Sequence, residues 1–277
     1  MKPTPPMQVV SARHGWHWLR DAFAILGRNV ALWMLFAFTY LVTLSVLSAV
    51  PYLGPFFFLL TTPAFTLSFA VMARESAAGR PILPVQLFAG FRGNTVPMLI
   101  LGAMYAVCFM VFAWISTSIF GDALTALMRG KPRPEDSPIL ALIGSCALYL
   151  PVMVAFWFAP PLVGWHRMSA PKAVFFSLFA ALSNWRAMLW YGLALLAMWG
   201  LAAALLAFMV RMFGPEIGAN GMSIDSMRSI LTLVMIVATP LGLAGFALQL
   251  ITYYTSYRDV FADEAIASTG SARSPAE

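Results

Sequence analysis

Ala187–Val210 reads AMLWYGLALLAMWGLAAALLAFMV, with no charged residue and no alternation of polar and apolar side chains. A helix needs roughly 20 apolar residues to cross about 30 Å of hydrocarbon, and this stretch supplies them. A strand of a membrane barrel would instead alternate, lipid-facing with lumen-facing, within segments of about ten residues. Five further stretches have the same character: Val30–Val50, Pro55–Ala73, Val96–Phe120, Pro138–Trp165 and Ser229–Tyr257. None carries a charge in its interior. A central Asp, Lys or Arg costs about 2.5–3.5 kcal/mol on insertion scales, against about 0.3–0.6 returned by each Leu, Ile, Phe or Val. The predicted fold is therefore all-α, a polytopic bundle of six transmembrane helices.

Composition agrees with that reading. Hydrophobic residues make up 61% of the chain and charged ones 10%, with a mean hydropathy of +0.80. Water could not solvate such a surface, so ordinary soluble enzymes and nucleic-acid binders are excluded as classes.

Basic residues near span ends stay on the cytoplasmic side, whereas acidic residues count for little. With the N-terminus inside, twelve of the seventeen Lys and Arg residues fall on the cytoplasmic side. Only Arg129, Lys131, Arg133, Arg211 and Arg228 fall outside. Six crossings return the C-terminus to the cytoplasm. No cleavable leader is expected, because the first apolar run begins only at Val30 and is too long for a signal-peptide core. Residues 1–10 read as a flexible N-terminus, 11–260 as one membrane domain and 261–277 as a disordered tail rich in Ser, Ala and Gly. Cys108 and Cys146 both fall inside spans and read as lipid-buried thiols.

Three segments at the cytoplasmic entries of the odd spans share a pattern: Ala22–Asn29, Leu87–Asn94 and Leu178–Asn184 are each short, apolar and closed by Asn. The even spans share Thr62-Pro63, Ala159-Pro160 and Thr239-Pro240. Together these define three parallel units, roughly 11–73, 84–165 and 171–257, each holding an interfacial helix, an Asn turn and two spans. In the third unit Val174, Phe175, Leu178, Phe179 and Leu182 lie on one helical face; in the first, Trp16, Leu19, Phe23 and Leu26 do. Such helices form an amphipathic collar at the cytoplasmic headgroup layer. Arg20, Arg28, Arg92, Arg167, Lys172 and Arg186 lie beside it as candidate contacts for anionic phospholipid headgroups, each basic residue near such a surface contributing about 1 kcal/mol.

Polar groups within the spans are few. Thr62 and Thr239 each precede a Pro that removes a backbone donor, and Gln249 is the strongest interior hydrogen-bonding group, so these three are the candidate intramembrane polar sites. Tyr253, Tyr254 and Tyr257 read as an interfacial aromatic belt. Ala238, Gly242 and Gly245, with Gly192 and Gly200, read as small contact faces between helices. No ionisable residue sits mid-span, which disfavours ion-coupled transport. No phosphate loop, dinucleotide fingerprint, nucleophile elbow or HExxH motif occurs, and His14 and His17 have no companion ligands. The expectation is a protein without catalytic residues, metal or cofactor. Anionic phospholipid is its expected partner, alone or with another membrane protein, in membrane organisation. The alternative is an uncoupled transporter or channel for a small solute, in which Thr62, Thr239 and Gln249 would line a solvated chamber.

Gly15-Trp16, the Asn-closed segments and Tyr254-Thr255-Ser256-Tyr257-Arg258-Asp259, taken together, resemble a family of uncharacterised bacterial six-span inner-membrane proteins. The chain is also distantly similar to the membrane domains attached to some glycerophosphodiesterases. The resemblance implies placement in the bacterial cytoplasmic membrane. It implies no catalytic residue, because the shared motifs are structural and the sequence contains no diesterase catalytic domain.

Overall fold

A computed structural model describes residues 6–51, 53–129, 137–213 and 224–261. Among them the only regular elements are helices. These are α1 (His14–Leu26), α2 (Val30–Ser48), α3 (Gly54–Ala77), a 3-10 helix (Pro84–Phe91), α4 (Thr95–Met128), α5 (Pro138–Phe156), α6 (Ala159–His166), α7 (Ala170–Ser183), α8 (Trp185–Phe213), α9 (Ile224–Leu233), a π turn (Val234–Ala238) and α10 (Thr239–Val260). Among the described residues six stretches are long and apolar enough to span a bilayer: Val30–Ser48, Gly54–Ala77, Thr95–Ala126, Ile139–His166, Trp185–Met212 and Arg228–Val260. The six-span, all-α expectation stands. Residues 262–277, and with them nearly all of the expected tail, lie outside the described residues, as do Lys131, Arg133, Glu135, Asp136 and Glu216.

The Asn turns start the odd spans. The backbone carbonyls of Asn29, Asn94 and Asn184 accept the amides of Trp33, Met98 and Met188 at 3.2, 3.1 and 3.0 Å, opening α2, α4 and α8. Asn29 also caps α2 with its side chain, Oδ1 accepting Leu32 N–H at 3.1 Å.

Proline breaks two of the even spans. Pro160 and Pro161 occupy the first turn of α6 and Pro240 that of α10, where a missing N–H costs nothing. The chain before them gives way, at Trp157-Phe158 and through the π turn respectively. Pro63 lies inside the continuous helix α3. The third span outruns its expected end at Phe120 and continues through Asp122 to Met128. Ala and Leu in that extension are strong helix formers, and a charge ends an apolar run without ending a helix.

The chain forms two compact units, each described on its own. One comprises residues 1–7, 43–71 and 85–183. Here α4 packs along α5, joined by Tyr105 OH to Tyr149 OH at 2.7 Å and Ser116 Oγ to Ser145 Oγ at 2.8 Å. Gly90 of the 3-10 helix presses on the carbonyl of Ala64 with no room for a Cβ, and its N–H donates to Ser68 Oγ at 2.9 Å. At the far end of this unit α7 lies on α5 and α6, and Ser177 Oγ accepts Phe158 N–H at 2.9 Å.

The other unit comprises residues 8–42, 72–84 and 184–277, of which α1, α8 and α10 form the core. Gly15 abuts Ala187 and Tyr191 of α8, again with no space for a side chain. Gln8 and Val10, expected in a flexible N-terminus, are held instead. Asn184 Oδ1 accepts Val10 N–H at 2.7 Å, Asn184 Nδ2 donates to the Gln8 carbonyl at 3.1 Å, and Gln8 N–H donates to the Val260 carbonyl at 2.8 Å. The backbone of this segment thereby finds partners that sequence reading could not locate.

The expected stripe of α7 faces away from the protein, and that of α1 is split between its two faces. In α7 the buried residues are Ala170, Ala173, Ser177, Ala180 and Ala181, whereas Phe175 is 65% exposed and Phe179 and Leu182 also face out. In α1 the buried face holds Gly15, Trp18, Leu19, Ala22, Ile25 and Leu26, leaving Trp16 57% and Phe23 48% exposed. Small residues let α7, and α1 at Gly15, approach their neighbours closely, and Phe175, Phe179, Leu182, Trp16 and Phe23 point away from the protein.

Candidate functional site

Among the described residues, a cluster of buried hydroxyls lies where α1 packs on α8 and α10. The Tyr191 hydroxyl meets Thr252 Oγ1 at 2.6 Å, and the Thr255 hydroxyl donates to the Trp18 carbonyl at 2.9 Å. Ser256 Oγ donates back to the Thr252 carbonyl at 2.7 Å. Trp18, Tyr191, Thr252, Tyr254, Thr255, Ser256 and Tyr257 are all buried. Tyr254 and Tyr257 are thus core residues under α1, a correction to the expected interfacial belt. Hydroxyls on a helix can be satisfied within the fold, and then burial costs little. Only the clustering of Thr, Ser and Tyr over residues 252–257 hinted at this in the sequence.

At the rim of that cluster, Asp21 Oδ2 accepts from Arg258 Nη2 at 2.7 Å, while Asp21 Oδ1 accepts from Arg20 Nε and Nη2 at 3.2 and 3.0 Å. Burial disfavours the charged carboxylate, but the hydrogen bonds and charges of Arg258 and Arg20 outweigh it and hold the Asp21 carboxyl below its usual range. Arg258 also pairs with Asp259 at 2.9 Å.

Inward from this network, α1, α8 and α10 enclose a cavity of about 130 Å³, open on one side, with an apolar lining that includes Phe23, Leu26, Trp199, Ala202, Leu241 and Leu248. Gly245 lies against the Trp199 ring, where a Cβ would come within 2.6 Å. A Cβ at Gly192, Gly200 or Gly242 would meet nothing within 4 Å, so of the glycines expected to mediate helix contact in these spans, Gly245 is the one in close contact.

The candidate headgroup contacts separate by environment. Arg20 is held by Asp21 with its side chain 63% exposed, and Arg28 donates to the Ser76 carbonyl. Arg92 and Arg167 are exposed, the latter closing α6 in the left-handed region at φ 52°. Lys172 sits over the Phe176 ring at 5.7 Å and Arg186 over Trp185 at 5.4 Å. Arg92, Arg167, Lys172 and Arg186 have no carboxylate partner among the described residues.

Of the candidate intramembrane sites, Thr62 and Thr239 bond within their own spans. Thr62 Oγ1 donates to the Phe58 carbonyl at 2.8 Å and Thr61 Oγ1 to Phe57 at 2.9 Å, one and two residues short of Leu59, the carbonyl that loses its helical donor at Pro63. Thr239 Oγ1 reaches Met235 Sδ at 3.9 Å. Gln249 is half-buried, and its backbone carbonyl accepts the Thr252 hydroxyl at 2.6 Å. Cys108 and Cys146 face outward from their spans, and no group of three His, Cys, Asp or Glu side chains converges among the described residues.

Six apolar spans with outward-facing hydrophobic surfaces make this a multi-pass helical membrane protein. It is similar to a probable inner membrane protein of Burkholderia thailandensis, with 32% identity over 270 residues, covering 91% of this chain and 92% of that protein. The chain belongs to the family of that inner-membrane protein. No family model matches it, and no solved structure does.

Proposed function

We propose that this is a non-enzymatic inner-membrane protein whose basic cytoplasmic face engages anionic phospholipid, in membrane organisation or as a subunit beside another membrane protein. The observation that carries the reading is the set of exposed cations Arg92, Arg167, Lys172 and Arg186, which lack acidic partners among the described residues. On a six-span reading all four fall on the side of the termini, and the excess of basic residues there supports taking that side as cytoplasmic. An unpaired guanidinium beside an exposed apolar helix suits a phosphate at the headgroup layer above acyl chains. The likeness to membrane domains attached to some glycerophosphodiesterases belongs to this reading only as a kind of membrane scaffold, with no activity attached.

Native mass spectrometry of the protein released from nanodiscs of mixed phosphatidylglycerol and phosphatidylcholine tests it. The expected result is retained phosphatidylglycerol that falls several-fold when Arg92, Arg167, Lys172 and Arg186 are all changed to Gln. Equal retention by both proteins would contradict the reading.

A further inference from the structure

The middle of α1 and the turn after it are tied to two helix ends: Asp21 to Arg258 near the end of α10, and Arg28 to the Ser76 carbonyl near the end of α3. The cavity lies farther into the membrane, because its α10 residues, Leu241 to Leu248, belong to the first half of that helix. Its mouth is bordered by Phe23 and Leu241, both exposed, so it opens onto the outward apolar surface of the spans. That surface faces acyl chains. The outer face of α1 continues it, since Trp16 and Phe23 point away from the protein, an arrangement that water would oppose and hydrocarbon favours. Arg20 stands one helical turn before Phe23 and on the same side of α1, with most of its side chain exposed. Asp21 takes only part of its donor capacity, Nε and Nη2, which leaves Nη1 for a further acceptor. A lining without polar groups, a mouth on the chain region and a guanidinium at headgroup height describe the two ends of one kind of molecule.

We propose that the cavity between α1, α8 and α10 is an acyl-chain site for an anionic phospholipid, whose phosphate Arg20 meets at the cytoplasmic surface. This rests on the lipid-engaging reading above and gives it a defined place. At about 130 Å³ it is close in size to an apolar cavity that takes up benzene, so it admits a short segment of a single chain, the rest lying in the bilayer. Trp199, seated against Gly245 in the wall, is a built-in reporter.

The test uses the full-length protein in phosphatidylcholine nanodiscs doped with phosphatidylglycerol brominated on its chains, a quencher of tryptophan fluorescence. Quenching should contain a component that saturates at low mole fraction of brominated phosphatidylglycerol. Trp199→Phe should remove that component, and Ala202→Phe, which fills the cavity while keeping Trp199, should also remove it. Arg20→Gln should weaken the preference for phosphatidylglycerol over brominated phosphatidylcholine by about fivefold, the worth of one basic residue at an anionic surface. Thermal unfolding of each variant shows whether it remains folded, and Trp199→Phe alone suffices if Ala202→Phe does not. Quenching that rises in proportion to bulk bromolipid, equally with and without Trp199, would overturn the site; so would saturation identical for the two headgroups. Because Arg92, Arg167, Lys172 and Arg186 stay intact, loss of the site with phosphatidylglycerol adducts still present in the mass spectrum would leave the general lipid reading standing.

Discussion

Arg258 donates to Asp21 at 2.7 Å across 237 residues of sequence, fastening the first helix to the end of the last. The same carboxylate holds Arg20, and together the two guanidiniums depress its pKa. A carboxyl with a lowered folded-state pKa stabilises the protein fully above its unfolded value, about 3.9, and loses that contribution as pH falls through the folded value. The melting temperature in detergent should therefore show no Asp21-linked change between about pH 7 and 5 and should fall below about pH 4. Asp21→Asn should melt lower at neutral pH and show a shallower acid limb. An unchanged acid limb in the variant would dissociate Asp21 from the effect.

Thr255→Val keeps the shape of the side chain and removes the hydroxyl that donates to the Trp18 carbonyl at 2.9 Å. That carbonyl keeps its helical partner within α1, so the loss is the net worth of one hydrogen bond, about 0.5–1.5 kcal/mol. Unfolding by SDS titration should register that loss. Thr117→Val, whose exposed hydroxyl only bonds back to its own helix, should stay within about 0.5 kcal/mol of the parent.

Gly90 and Gly192 should respond to alanine in opposite directions. At Gly90 the added methyl meets the backbone of Ala64, and relief requires moving the 3-10 helix off α3, at about 1–3 kcal/mol. At Gly192 it meets nothing, and a mid-helix Gly→Ala change gains about 0.5–1 kcal/mol. Paired SDS titrations decide the signs.

Asn184→Ala removes the side chain that accepts from Val10 and donates to Gln8. Hydrogen exchange of residues 8–12 should accelerate by about tenfold or more, as expected for the loss of at least 1.4 kcal/mol of local protection. Exchange in the middle of α4 should not change.

The spans were legible because an uncharged apolar run is a statement about solvent, and Val30 through Val210 contains five of them before Ser229 opens the sixth. The Asn turns were legible for a similar reason, each marking the point at which an apolar run restarts. The orientation of the short helices was not. In water the stripe of Phe175, Phe179 and Leu182 would turn inward, but in a membrane either face of a helix can meet an apolar environment, and packing density decides. Ala173, Ala180 and Gly15 win the inner positions because they allow close approach, which hydrophobicity does not encode. Tyr254 and Tyr257 were misplaced for the converse reason: their burial depends on α1, which lies more than two hundred residues away in sequence. The proline breaks were half legible, since Thr62-Pro63 and Thr239-Pro240 look alike, yet Pro63 lies within a helix and Pro240 starts one.

The most direct measurement of the account is the sidedness of two exposed serines, Ser137 before α5 and Ser169 before α7, which flank the fourth span. In a background with Cys108 and Cys146 changed to Ala, Ser169→Cys should react with a membrane-impermeant maleimide in inside-out vesicles, and Ser137→Cys in right-side-out spheroplasts. Both cysteines reacting from the same face, or the purified chain remaining monomeric in aqueous buffer without detergent, would contradict it.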